Sequence, residues 1–326
     1  TNLINAEMEK DQVTKIDRIE SIRSVLDAVR PALNAQFGNQ INSLIQSADN
    51  VITALRTNQN NKLAFYGILL YTVESCLKNS ELLFGKDSRL SVYYRAALIL
   101  IVNKEIPGFA EFVILRIAKE FPILAGIWPE RKPGMRDEEL YKARGFKYNN
   151  GNRESFKTFF NRLDSLSFLF FLLLTVDLTD ILRDTDPNEI NPDLNQLIQR
   201  IFVPTGSFEW IYWAFIKHFL AAPIDLITPN ILVSFYRSSA YTLRRNRDPV
   251  IKLFKIISRV MVPKLEQYGA SIQDKDEKNE FVENKLRVVR TSLQKFNENN
   301  VQNMVILNPV EEDLQKQSAS NAQDDA

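Results

Sequence analysis

The chain has 326 residues, 45% of them hydrophobic and 25% charged, and a formal net charge of +1. That length accommodates one large domain or two ordinary ones, and the even charge balance excludes a whole-molecule field that would recruit nucleic acid or membrane. Ten glycines and thirteen prolines are too few for a sheet protein built on many tight turns, while the single cysteine, Cys76, excludes an intrachain disulfide framework and suits a reducing compartment.

The first residue is Thr1 and no signal peptide is visible, so the chain is read as a fragment or processed form. Ile19, Ile22, Leu26, Val29 and Leu33 recur at alternating three- and four-residue steps, and Phe37, Ile41, Leu44, Ala48, Val51 and Leu55 continue the pattern. Such spacing suits the end of a coiled coil or helices packed on a domain. Pro31 and the Asn34–Gly38 segment break the register and favour packing. Residues 1–30 are therefore read as a helical lead-in and 31–300 as a helical-repeat domain. Residues 301–326 are Ser/Gln/Asp-rich and read as a disordered polar tail.

Leu63, Tyr66, Leu70, Val73 and Leu77 form the next stripe, stopping near Gly85. A helix over about 91–104 follows. Ile106, Phe109, Ala110, Val113, Ile114 and Ile117 line one face of another, which Phe121-Pro122 must end because proline cannot continue it. Pro129 to Glu154 reads as a long charged loop, a length that signals function or disorder. The apolar run Leu166–Val176 is short of the ~20 residues that span a bilayer and predicts a buried helix. Residues 184–193 and 203–207 read as connectors. Helices are predicted over 210–222, 230–245, 249–262 and 281–296. The fold class is thus all-α, a HEAT-like stack of antiparallel helices.

No catalytic constellation stands out. One histidine and one cysteine cannot build a His–Cys zinc cluster. His218 lies in the apolar run Trp213–Leu220, where partly buried packing is favoured over general-base work. Gly85-Lys86 lacks the rest of a phosphate loop. Charge clustering is the remaining signal: Arg237, Arg244, Arg245, Arg247, Lys252, Lys255, Arg259 and Lys264 stand against Asp248 alone. They form either the solvated face of two amphipathic helices or a surface for a phosphate-rich ligand, RNA or an acidic partner.

The order of several motifs carries a resemblance. After the helix ending Arg116-Ile-Ala-Lys119-Glu120-Phe121-Pro122 come Gly134-Met135, Tyr141, Arg144-Gly145-Phe146 and then Phe159-Phe160-Asn-Arg162-Leu163. Downstream lie Trp213 and the turn Pro223-Ile-Asp225-Leu226-Ile227-Thr228; upstream lies Asn34-Ala-Gln-Phe37-Gly38. From about Ile22 to Phe296 this resembles the GLFG-lethal-one family of nuclear-pore mRNA-export factors. The resemblance implies a non-enzymatic protein at the cytoplasmic face of the pore and in cytoplasm. It would be anchored by a nucleoporin, touch RNA only indirectly and insert in no membrane. It would clamp a DEAD-box ATPase so that the two lobes separate.

The resemblance places contacts at Arg30, Lys78, Arg116 and Lys119, with Arg136, Lys142, Arg144 and Lys147 as a further partner loop. Some lineages hold inositol hexakisphosphate at positions corresponding to Arg30, Glu74, Lys78, Lys119 and Glu120. Two of these are acidic here and oppose a polyanion directly. Glu74 is also spaced to form an intrahelical ion pair with Lys78. Two other readings stay open: an RNA-binding helical scaffold using Arg237–Lys264, and a helical-repeat trafficking adaptor.

Overall fold

Leu44, Ala48, Val51 and Leu55 are all fully buried on helix α1 (Ile41–Thr57), so the stripe predicted there packs on the domain. The protein is described by a computed structural model covering residues 41–83, 90–175, 200, 207–235, 247–273, 275–279, 281–282 and 286–295. The expected lead-in 1–30, Arg30, the connector 184–193, Arg237, Arg244, Arg245 and the tail 301–326 lie outside these residues.

Helices α2 (Lys62–Leu83), α3 (Leu90–Glu105) and α4 (Phe109–Glu120) follow α1 and pack on one another. The first half of helix α2, residues 63–71, is apolar all round, which blurs its inward face. Ala64, Ile68, Val73, Cys76 and Leu77 are buried, whereas Tyr66, placed on the predicted stripe, is exposed. On α4 the five residues Phe109, Ala110, Val113, Ile114 and Ile117 are all buried, as the spacing predicts. The helix ends at Glu120, and Phe121-Pro122 leads into a 3-10 turn (Pro122–Ala125).

The stretch read as a long loop is largely ordered. It contains helix α5 (Asp137–Ala143) and a two-stranded ribbon, β1 (Tyr148–Asn149) and β2 (Asn152–Arg153). The ribbon turns on Asn150 (φ 51) and Gly151 (φ 80), the paired left-handed conformation of the hairpin turn that Asn-Gly favours.

Helix α6 (Phe156–Thr175) is the centre of the domain, touching α2, α3, α4 and α7 (Ser207–Ala221). Leu166 and every residue from Phe168 to Leu174 are buried, as expected of a helix walled on all sides. A polar seam fixes its register against a helix over 228–235 (α8). Ser167 Oγ lies 2.8 Å from Ser234 Oγ, and Asn230 Nδ2 donates to Asp164 Oδ1 at 2.7 Å. No described helix is long and apolar enough to cross a membrane.

A last helical run comprises α9 (Arg247–Ile256), a π-helical turn (Ile257–Met261) and α10 (Val262–Ser271), followed by α11 (Lys275–Asn279) and α12 (Arg287–Lys295). The π turn precedes Pro263, which has no N–H to give the carbonyl four residues back. Val262 instead donates five residues back, to the Ile257 carbonyl.

Candidate functional site

Helix α5 stops at Arg144 with two backbone bonds: Gly145 N–H to the Lys142 carbonyl and Phe146 N–H to the Tyr141 carbonyl, each 3.0 Å. This is the glycine-dependent helix stop in which the residue after the glycine packs back on the last turn, and Phe146 does so on Tyr141 at 5.0 Å between centroids. Only glycine serves at 145. Its φ is +98, and a Cβ there would stand 2.5 Å from the Glu120 carbonyl oxygen. The close approach brings the segment flush against the end of α4, where Phe146 stacks on Phe159.

Arg162, on the first turns of α6, locks this junction. Its side chain is 5% exposed. Nη1 donates to Glu120, while Nη2 donates to the Gly145 carbonyl at 2.7 Å and to Glu154 Oε1 at 2.5 Å. The guanidinium also sits 4.9 Å over the Phe121 ring. Glu154 accepts the Lys147 N–H as well (2.6 Å), closing the neck of the ribbon. Arg153 caps the aromatic side of the module, 4.1 Å from the Tyr141 ring and 4.4 Å from that of Phe156.

The network continues outward. Glu120 also pairs with Lys147 Nζ at 3.0 Å, and Arg116 lies 4.0 Å from its other oxygen. Arg116 Nε donates to Glu74 Oε1 at 2.6 Å. Glu74 thus pairs across to α4, with the guanidinium that the neighbouring helix presents, instead of with Lys78. Lys78 and Lys119 are exposed, and neither has an ion pair among the described residues.

The four cations placed in the partner loop are held separately. Arg136, the N-cap of α5, pairs with Glu139, and Lys142 on its last turn pairs with Glu138 (2.6 Å). Lys147 pairs with Glu120. Arg144 is half-buried and donates to Asp225 Oδ1 at 2.8 Å, tying the module to the turn before α8. Burial raises the Asp225 carboxyl above the usual carboxylate range, while Arg144 and the Leu226 N–H oppose the shift. Thr228 Oγ1 accepts the Asp225 N–H at 2.9 Å, which makes Pro223–Thr228 a closed turn.

The sequence reading left Arg162, Glu154, Arg153 and Asp225 without a role as site residues. A signal for the first existed: Arg162 is a cation flanked by Phe159-Phe160 and Leu163 at the head of a helix that becomes almost wholly apolar, and such a residue is buried only with partners. His218 is exposed on the last turn of α7, its Cβ beside Gly126, in place of the partly buried packing expected.

The assembled face is therefore a rigid junction of α2, α4, α6 and the 137–154 module. Its buried cations are spent internally, and Lys78 and Lys119 project from it. A model of the GLE1-like protein family matches residues 4–258. Among solved structures, a chain of the S. cerevisiae complex of the Dbp5 C-terminal domain with Gle1 and IP6 is similar over 90% of this chain and 88% of that one. The TM-score is 0.67 and the identity 17%. A second S. cerevisiae complex, carrying a single-substitution Gle1 variant, is similar to the same extent. No curated protein matches. With a family model matched over more than half its length, the chain belongs to the GLE1-like protein family.

Proposed function

We propose that this chain is an mRNA-export factor that binds a DEAD-box ATPase of the Dbp5 kind and stimulates its ATP turnover at the cytoplasmic face of the nuclear pore. The observation that supports the reading is the family match over residues 4–258, joined to a fold likeness spanning 90% of the chain with Gle1–Dbp5 complexes. On this reading the protein performs no bond chemistry. It is a stiff surface that holds the helicase lobes apart so that RNA and product leave, and a nucleoporin keeps it at the pore.

Stiffness is what the Arg162 junction contributes, because a buried, multiply bonded cation fixes three elements at once. Lys78 and Lys119 are proposed as direct contacts. Exposed, they reach an acidic partner surface without first breaking an internal pair. Arg116 and Lys147 border the same face with their charges already shared, Arg136 and Lys142, paired on α5, are proposed as further contacts, and Arg144 supports the module from within. Arg30, beyond the described residues, is proposed with Lys78 and Lys119.

The S. cerevisiae complexes hold IP6, and the residues here do not fit that group. Glu74 and Glu120 are carboxylates where the resemblance places part of the polyphosphate site. Arg116 and Lys147 are engaged in neutralising them. Glu74 is exposed and opposes a polyanion directly, while Glu120 is largely buried and holds Arg162 and Lys147 in internal pairs, so neither position adds to what Lys78 and Lys119 offer. Helicase contact is therefore read as direct, with little contribution from IP6. An affinity capture using this chain and its own organism's mRNA-export DEAD-box protein should recover the pair. Failure to bind any DEAD-box protein returns the chain to the adaptor reading.

A further inference from the structure

The basic stretch singled out in the sequence has a described portion whose geometry says more than its charge. Along α9, the π turn and α10, the residues Lys252, Ile256, Arg259, Val260 and Lys264 are exposed, whereas Leu253, Ile257, Met261 and Leu265 point into the core. The exposed side thus repeats every three to four residues and forms one ridge. Ile256 and Val260 are 45% and 47% exposed, two of the few large aliphatics so displayed. The π turn leaves Ser258, Arg259 and Val260 exposed in succession, widening the face where such turns commonly serve function.

Among the described residues, the ridge cations Lys252, Arg259 and Lys264 are uncompensated. From Pro249 to Ala270 the only acid in the sequence is Glu266, and its carboxylate is taken by Arg290 at 2.7 Å. Lys252, Arg259 and Lys264 have no ion pair among the described residues. The family match ends at residue 258, so Arg259, Val260 and Lys264 lie beyond it.

We propose that this ridge docks a protein segment that is acidic and carries paired aliphatic side chains, a helix with leucine-type residues between glutamates or aspartates. Charge complementarity selects the acids, and the Ile256–Val260 pair, one turn apart, selects the aliphatics. RNA fits less well: the ridge offers no exposed aromatic for base stacking, since Phe254 is buried. A membrane surface fits less well too, because two aliphatics are a small apolar face for interfacial insertion. The inference is independent of helicase binding at the Arg162 junction.

The test uses the full chain and a short synthetic helical peptide of paired leucines separated by glutamates, with binding read by fluorescence anisotropy at about 0.15 M salt. The wild type should bind it. Ile256→Ser with Val260→Ser, and separately Lys252→Glu with Arg259→Glu, should each weaken binding about tenfold or more. These positions are exposed, so thermal midpoints should not move. A glutamate–serine peptide of equal charge should bind about tenfold more weakly. Equal or tighter binding of oligouridine or phosphatidylserine vesicles would overturn the proposal. So would absence of peptide binding, or peptide binding indifferent to Ile256 and Val260.

Discussion

Replacing Arg162 by methionine keeps the length and apolar stem of the side chain and deletes its guanidinium. Three acceptors then lose their donor together: Glu120, Glu154 and the Gly145 carbonyl. Both carboxylates are largely buried, 13% and 10% exposed, so water replaces the lost bonds only in part. Breaking a buried charge pair from one side costs about 3–5 kcal/mol. Lys147 still reaches Glu120, and its N–H still reaches Glu154, which places the expected loss near the lower end, about 3 kcal/mol. Urea unfolding followed by circular dichroism should show that loss as a lower midpoint with an unchanged slope. Adding Glu120→Gln and Glu154→Gln to Arg162→Met should recover part of it, because neutral amides do not leave stranded charge. A loss under about 1 kcal/mol, or no recovery in the triple variant, would refute the view of Arg162 as the buried lock.

Cys76 is fully buried and its thiol is pushed up to about 11, so a disulfide reagent should label it only after denaturation; rapid labelling of the native chain would contradict its placement. For Asp225 the folded carboxyl titrates above its unfolded value of about 3.9, so its contribution to stability is greatest below that value. The contribution falls as pH rises toward the folded value and is level above it. Arg144→Met should raise the Asp225 titration further, read by carboxyl NMR, and a downward shift would remove Arg144 as its partner. Calorimetry with IP6 should give weak binding for the wild type and tighter binding for Glu74→Lys, which releases Arg116 from its closer carboxylate while leaving the Arg162 junction whole. Tight wild-type binding unaffected by Glu74→Lys would show that the polyphosphate does not meet this face.

Much of the helical order was legible because it is local. The buried faces of α1 and α4 follow from spacing, the Phe121-Pro122 stop from proline, and the buried α6 from its apolar run. The face of α2 was not, since the unbroken run of residues 63–71, which has no charged or strongly polar residue, leaves no contrast to read. Residues 129–154 were read as loop because charge dominated their composition. Yet Gly145-Phe146 and Asn150-Gly151 are ordinary helix-stop and hairpin signals that would have divided them. What no local pattern could supply is partnership. Glu120 and Arg162 are 42 residues apart, as are Glu74 and Arg116, and Arg144 meets Asp225 only once α5 and α8 are in place. A count of exposed-looking cations therefore overstated how many are available to a partner.

ATP turnover by the DEAD-box protein, measured with RNA and without IP6 in the presence and absence of this chain, tests the central claim most directly. Wild-type chain should raise the turnover. Lys78→Glu with Lys119→Glu should weaken the half-maximal concentration about tenfold or more without changing the chain's own unfolding midpoint. Unaltered turnover together with no detectable binding would contradict the account.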